Sequence, residues 1–187
     1  MNYIVFDLEW NQSPNGKEDS VEHLPFEIIE IGAVKLDEKG QEIDRFNEVI
    51  KPKVYRKMHH VTRSLTGITE KDLNRGRTFP KALVDFMCWC GDDFMFCTWG
   101  NLDLLELQRN MKFYHLEDLL VGPIRYYNVQ KLFRILYDNE NNAASLEYAV
   151  DFLRIRRKGN FHRAINDAEY TAEIFALMDK KKVEKWY

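Results

Sequence analysis

Two acids interrupt an otherwise apolar stretch near the start of this chain, Tyr3-Ile4-Val5-Phe6-Asp7-Leu8-Glu9. The stretch suits a buried β-strand, in which successive side chains point to opposite faces, so Asp7 and Glu9 point the same way about 6.5–7 Å apart. Carboxylates sharing one buried face repel each other and are costly to desolvate. The pattern therefore asks for a cation between them. The other reading places Glu9 in the loop after the strand, with both acids in water. Two later groups offer similar chemistry. Asp103, in Trp99-Gly100-Asn101-Leu102-Asp103, sits at the start of a helix that follows a buried strand, where an acid is equally a partner of the helix dipole. His162-Arg163-Ala164-Ile165-Asn166-Asp167 pairs an imidazole with a carboxylate. On a single helix the two would lie about 140° apart. They converge only if His162 lies in the loop after Gly159 and Asp167 early in the helix it leads into. Taken alone, His162 reads equally as a structural residue.

The elements that must position these groups follow from periodicity. Phe26 to Leu36 reads as a second strand, Asp37-Glu38-Lys39-Gly40 as a turn, and Arg45 to Ile50 as a third strand stopped by Pro52. Short links between the three predict an antiparallel meander. Leu65-Thr66-Gly67-Ile68 reads as an apolar loop before a helix capped by Thr69. A helix with Pro80 in its first turn precedes a strand at Phe94 to Trp99, and Leu102 to Met111 reads as a helix. A short strand at Arg125 to Val129 leads into a helix through Leu136. Asp138 to Asn142 forms a loop, Ser145 caps a helix through Leu153, and the last helix runs from about Ala164 to Lys181 with Lys180-Lys181-Lys182 at its C-terminus. A meander giving way to strand–helix alternation predicts an α/β domain with a mixed five-stranded sheet flanked by helices.

At 187 residues, 45 % hydrophobic and 30 % charged, the chain reads as a single domain, 1–187, of ordinary globular composition. No apolar run approaches the roughly 18 residues of a membrane helix, and the first strand begins where a leader would stand, so no membrane and a cytoplasmic location are expected. Cys88, Cys90 and Cys97 lack the spacing of a zinc site and read as buried, reduced thiols. A net charge of −3 carries none of the strongly basic character usual for nucleic-acid binding. Two local basic clusters, Lys51 to Arg63 and Arg154 to Lys158, read first as solvated surface, and the second, just before His162, equally as a phosphate contact.

Taken together, Asp7-x-Glu9, Asp103 after Trp-Gly-x-x, and His162-x-x-x-x-Asp167 resemble the three motifs of the DEDD exonuclease superfamily in its histidine-bearing DEDDh branch. Supporting matches are Glu27-Ile28-Ile29-Glu30-Ile31-Gly32-Ala33-Val34, Leu65-Thr66-Gly67-Ile68-Thr69 and His162-Arg163-Ala164 with Asp167-Ala168. The Glu27–Val34 strand is most similar to Eri-like 3′–5′ exoribonucleases and their bacterial relatives. The resemblance spans Tyr3 to about Leu177. It implies a ribonuclease H-like fold and two divalent cations, Mg²⁺ or Mn²⁺, for which four carboxylates are suitable hard oxygen ligands. In-line attack of water on phosphorus places negative charge on the attacking and leaving oxygens, and two cations about 3.5–4 Å apart stabilise both.

By the same resemblance Asp7 bridges the ions, Glu9 and Asp167 hold the one that activates water, and Asp103 supports the other, partly through water. His162 is the implied general base, an unperturbed imidazole titrating near 6.5. Trp10 and the Leu65–Ile68 loop are implied to line a pocket for the 3′-terminal nucleotide, although Trp10 reads equally as packing. Many relatives carry small or hydroxyl residues where this chain has Trp10 and Asn11, which leaves base preference open. The neighbouring His59-His60 pair is expected to be non-catalytic. The expected activity is release of nucleoside 5′-monophosphates from single-stranded nucleic-acid 3′ ends, RNA ranked ahead of DNA. The alternatives are a proofreading exonuclease beside a DNA polymerase and a silent nucleic-acid-binding module.

Overall fold

The computed structural model describes residues 1–187 except 16–18, 121, 139–143 and 184–187, with the side chains of 180 and 181 also left aside. The expected loop at Asp138–Asn142 falls largely outside the described residues. Strands β1 (Asn2–Asn11), β2 (Glu27–Leu36) and β3 (Glu42–Lys51) form the expected antiparallel meander. Alternation in β1 sorts its side chains cleanly. Ile4, Phe6 and Leu8 enter one core, and Tyr3 and Val5 enter another on the opposite face. Asp7 and Glu9 continue the Tyr3–Val5 face.

The chain then gives α1 (His60–Thr66), α2 (Glu70–Arg75), β4 (Arg77–Thr78), α3 (Phe79–Cys90), β5 (Phe94–Thr98), α4 (Leu102–Phe113), β6 (Tyr126–Asn128), α5 (Val129–Tyr137), α6 (Leu146–Phe152), α7 (Ala164–Leu177) and α8 (Lys180–Val183). The sheet order is β4-β3-β2-β1-β5-β6, with β5 parallel to β1 and β6 parallel to β5. Helices α5, α6 and α7 cover the face of Tyr3 and Val5, whereas α3 and α4 cover that of Phe6. The architecture is the expected mixed α/β sandwich of layers, with six strands in place of five. The added strand, β4, pairs only Arg77 and Thr78 with the end of β3, too short a piece for any alternation to betray it.

Other departures have local causes. The stretch expected as an apolar loop at Leu65–Ile68 is the end of α1 and its cap. This helix starts on a histidine, whose Nδ1 accepts the Val61 N–H at 3.3 Å, and histidine is not among the usual N-cap residues. Gly67, at φ 68°, closes it in the left-handed region. Thr69 caps α2 as expected, in a reciprocal box with Asp72. The final helix ends at Leu177 because Met178 is extended, so Lys180–Lys182 belong to α8 and do not cap α7. Cys90 and Cys97 are buried, but Cys88 is exposed on α3.

Strand β2 contains one extra residue. Glu9 pairs with Glu30 and Trp10 with Ile28, which leaves Ile29 without a partner on β1. The bulge reverses the phase of the pleat. Ile28 and Ile31 thereby face the same core, while Ile29 turns away to a small third core with Met58, Ile68 and Leu73.

On the other face, Gly32 lies directly beneath the start of α7. A Cβ there would fall inside the backbone of Ala164 and Ile165. That contact brings α7 down onto β2, opposite Asp7 on β1. Gly32→Ala is expected to destabilise the fold by about 1–3 kcal/mol, the usual cost of overpacking, read as a lowered thermal midpoint. A variant as stable as the wild type would show that the helix is not held at this distance.

Candidate active site

Asp7 and Glu9 stand on the β1 face that looks toward α7, and α7 supplies Asp167 from its first turn. One carboxylate oxygen from each of the three lies within 4.8 Å of the others. Asp103, in the first turn of α4, is buried beside them. Its Oδ1 accepts the Leu8 N–H at 3.1 Å. Strand β5 pairs with β1 only from Asn2 to Val5, so the far edge of β1 is open at Leu8 and the α4 carboxylate reaches it. Asp103 therefore joins the site from the strand edge and is not one of the close three.

His162 and Asp167 adopt the loop-then-helix arrangement that their spacing requires. His162 has φ 64°, a left-handed conformation costly for a residue with a side chain. Its N–H donates to Asp167 Oδ2 at 2.9 Å, and its ring is exposed. Asp167 Oδ1 is buried without a hydrogen-bond partner. An orphan carboxylate oxygen beside two more carboxylates, all hard oxygen donors, fits a divalent cation.

The start of α7 is fixed by a residue to which the motif reading assigned no role. Glu30, fully buried opposite Glu9, accepts from Arg163 Nε at 3.1 Å, Arg163 Nη2 at 2.6 Å and the Ala164 N–H at 3.0 Å. Its sequence signal was an acid between Ile29 and Ile31 in an unbroken apolar run, the same signal that marked Asp7.

Electrostatics record the crowding. Burial, reinforced by the charges of Asp103, Asp167, Glu9 and Glu30, pushes the Asp7 carboxyl well above its ordinary range. Burial and the Asp167 and Glu30 charges raise Glu9 from 4.5 to about 8. Burial raises Asp103 to about 7, against the Leu8 N–H, which favours its charged form. Asp167 is raised by burial to about 6 despite the His162 N–H.

The remaining expected site residues divide. Trp10 is half-buried against Phe26, with ring centroids 5.7 Å apart, and packs on the core of Phe6 and Leu8, the face of β1 opposite Glu9. Leu65 is exposed on α1, whereas Ile68 is 2 % exposed in the third core and serves packing. His59 is buried as the cap of α1 and shares a 3.1 Å hydrogen bond with Gln12 Nε2, which accounts for it without a metal. In the Arg154–Lys158 cluster, Arg157 pairs with Glu147 and Asp151, and Lys158 pairs with Glu173, so much of its charge is spent internally. No described helix is long and apolar enough to cross a membrane.

Comparison with known proteins agrees with this geometry. Residues 4–175 match the RNase_T family, described as exonuclease. The chain is 27 % identical to the probable 3′-5′ exonuclease KapD of Bacillus subtilis over 97 % of its own length and 87 % of KapD. It is 31 % identical to the PolC-type DNA polymerase III of Clostridium perfringens over 98 % of its length, but spans only 12 % of that polymerase. Among solved structures, the nuclease domain of 3′hExo, a DEDDh family member bound to rAMP, superposes with a TM-score of 0.81 at 21 % identity, covering 98 % of this chain and 92 % of that one. The fold is thus ribonuclease H-like.

The raised carboxyls make a prediction about the chelated protein. Each group binds its proton more tightly folded than unfolded, so their contribution is fully present below their ordinary values, near 4, and is lost as pH rises through about 6 to 8. In excess chelator the thermal midpoint should fall from pH 5 to pH 8. Millimolar Mg²⁺ should recover much of the loss, and Asp7→Asn should flatten the profile without metal. A chelated midpoint independent of pH would contradict this electrostatic picture.

Proposed function

The chain belongs to the RNase_T exonuclease family, and from that premise we propose that Asp7, Glu9, Asp103, Asp167 and His162 form the active site of a DEDDh-type 3′–5′ exonuclease. The observation that carries the assignment is the convergence of Asp7, Glu9 and Asp167 within 4.8 Å, with an unpartnered buried oxygen on Asp167. The family implies divalent metal ions. Two of them, Mg²⁺ or Mn²⁺, would be held by Asp7, Glu9 and Asp167, with Asp103 in support. Bound there, such cations stabilise the negative charge that develops on the attacking and leaving oxygens of a phosphodiester.

The chain's own groups supply the rest. His162 stands on an exposed loop where its imidazole takes a proton from the attacking water. The hydrogen bond from its backbone to Asp167 Oδ2 holds that loop against the site, so the strained φ is offset by a charge-assisted contact. Glu30 and Arg163 act at one remove, by fixing the first turn of α7 and with it Asp167. Trp10, directly after Glu9 and half-buried, and Leu65, exposed on α1, offer apolar surface to the 3′-terminal nucleotide. Ile68 is assigned no contact with it.

The substrate is proposed to be a single-stranded 3′ end, cleaved to nucleoside 5′-monophosphates, with RNA ranked ahead of DNA. The likeness to a nuclease domain holding rAMP supports the ribonucleotide reading. A DNA-proofreading role is favoured by the 31 % identity to a PolC-type polymerase and is the second reading.

Matched 5′-labelled RNA and DNA strands incubated with Mg²⁺, Mn²⁺ or chelator separate these readings. A metal-dependent ladder shortening from the 3′ end is expected, faster on RNA; faster cleavage of mismatched DNA ends would favour proofreading. Asp7→Ala and Asp167→Ala should abolish the ladder, and His162→Ala should slow it by about 10²–10⁴-fold. Wild-type rates from Asp7→Ala would refute the site.

A further inference from the structure

A second feature of the fold gathers cations and lies outside the carboxylate site. Lys51, Lys53 and Arg56 line a cleft of about 360 Å³ whose walls include Phe79, Pro80 and Tyr114. Among the described residues none of these three cations forms an ion pair with a carboxylate, whereas two neighbouring arginines do. Arg63 faces Glu70 at 4.0 Å, and Arg77 pairs with Asp85. The loop that carries Lys53 and Arg56 is also anchored by buried hydrogen bonds. The fully buried Glu27 carboxylate accepts the N–H groups of Lys53 at 2.7 Å, Val54 at 3.0 Å and Tyr55 at 2.7 Å, together with the Tyr114 hydroxyl at 2.5 Å. Asn11 Nδ2 donates to the Tyr55 and Lys57 carbonyls at 2.8 Å each, and Asn11 Oδ1 accepts the His59 N–H at 2.9 Å.

These anchors matter because of where they sit. Asn11 lies two residues beyond Glu9 on β1, about 7 Å along the strand, and pairs with Glu27 on β2. The buried anion is spent on amides and a hydroxyl, which leaves the lysine and arginine heads unneutralised toward solvent. The basic loop is therefore fixed to the same two strands that carry Asp7, Glu9 and Glu30. A chain with net charge −3 repels a polyanion as a whole, so a preorganised local patch is where a phosphate backbone gains attraction.

We propose that the Lys51–Lys53–Arg56 cleft binds the sugar–phosphate backbone of the strand being degraded, upstream of its 3′-terminal nucleotide. The inference rests on the exonuclease reading and gives that activity a dependence on substrate length. A dinucleotide, whose single phosphate occupies the carboxylate site, does not reach the cleft.

The test compares the wild-type protein with Lys51→Gln/Lys53→Gln/Arg56→Gln and with the charge-retaining Lys51→Arg/Lys53→Arg/Arg56→Lys. Binding of a fluorescent ~20-nucleotide strand is followed by anisotropy in chelator across a salt series, and turnover of that strand and of a dinucleotide is measured with Mg²⁺. Three lost contacts to a single strand should lower the slope of log K against log salt by about 2 and weaken binding on the order of a hundredfold near 0.1 M salt, if the two proteins bind equally at about 1 M. KM for the long strand should rise in step, dinucleotide turnover should stay at the wild-type value, and the charge-retaining variant should bind as wild type. An unchanged salt slope in the glutamine variant overturns the cleft and leaves the patch to another partner, such as an acidic protein. Equal loss on the dinucleotide and the long strand overturns it too, because the charges would then act through the fold. A wild-type protein that cleaves neither substrate would instead refute the exonuclease reading.

Discussion

Asp7, Glu9, Asp103 and Asp167 repel one another in a place where burial already disfavours their charge, and the architecture keeps them together. Each is held by a different means. Asp7 and Glu9 are fixed by the pleat of a central strand paired on both sides over its first half. Asp103 is tied to that strand through the Leu8 amide, and Asp167 is carried by a helix pinned at Gly32 and Glu30. No single element could hold all four, since one strand face or one helix turn offers at most two positions that converge. The fold resolves this by bringing a strand, a strand edge and two helix starts to one point. A helix start also suits an acid, because its unpaired N–H groups offset negative charge.

Much of this is legible in the sequence. The period-2 placement of Asp7 and Glu9 foretold their common face, and the five-residue interval from His162 to Asp167 foretold a loop followed by a helix. Both follow from the two simple periodicities of the backbone. What escaped lay where local signals are weak or shared. Two-residue β4 has no pattern to read, and α1 opens on a histidine cap. The bulge at Ile29 leaves no mark in a segment where every residue is apolar or acidic. Ile68 sat in a motif beside exposed Leu65, and only the packing of Met58 and Leu73 around it shows that it belongs to a core. Glu30 announced itself as a buried acid, but its partner, Arg163, is 133 residues away.

Buried acids have two different uses in this molecule. Asp7, Glu9 and Asp167 are left short of partners, and their protonation equilibria are displaced accordingly. Glu27 and Glu30 are buried more deeply yet supplied with donors: amides and a phenol for one, a guanidinium and a helix amide for the other. Unsatisfied carboxylates mark where a counter-charge must come from outside, and satisfied ones mark the joints of the frame.

The bulge in β2 has a wider consequence. A strand of uninterrupted pleat serves two surfaces; with Ile29 inserted, β2 serves three, and the third is a small core beneath α1 and α2, separate from the two that support the carboxylates. The α1–α2 cover, with exposed Leu65, is therefore a module. Its exposed surface can vary while Ile29, Met58, Ile68 and Leu73 keep its core and the Asn11–His59 and Thr62–Trp10 hydrogen bonds keep it on β1. The surface of this cover can then change on one catalytic frame, because the two lie on different sides of a single extra residue.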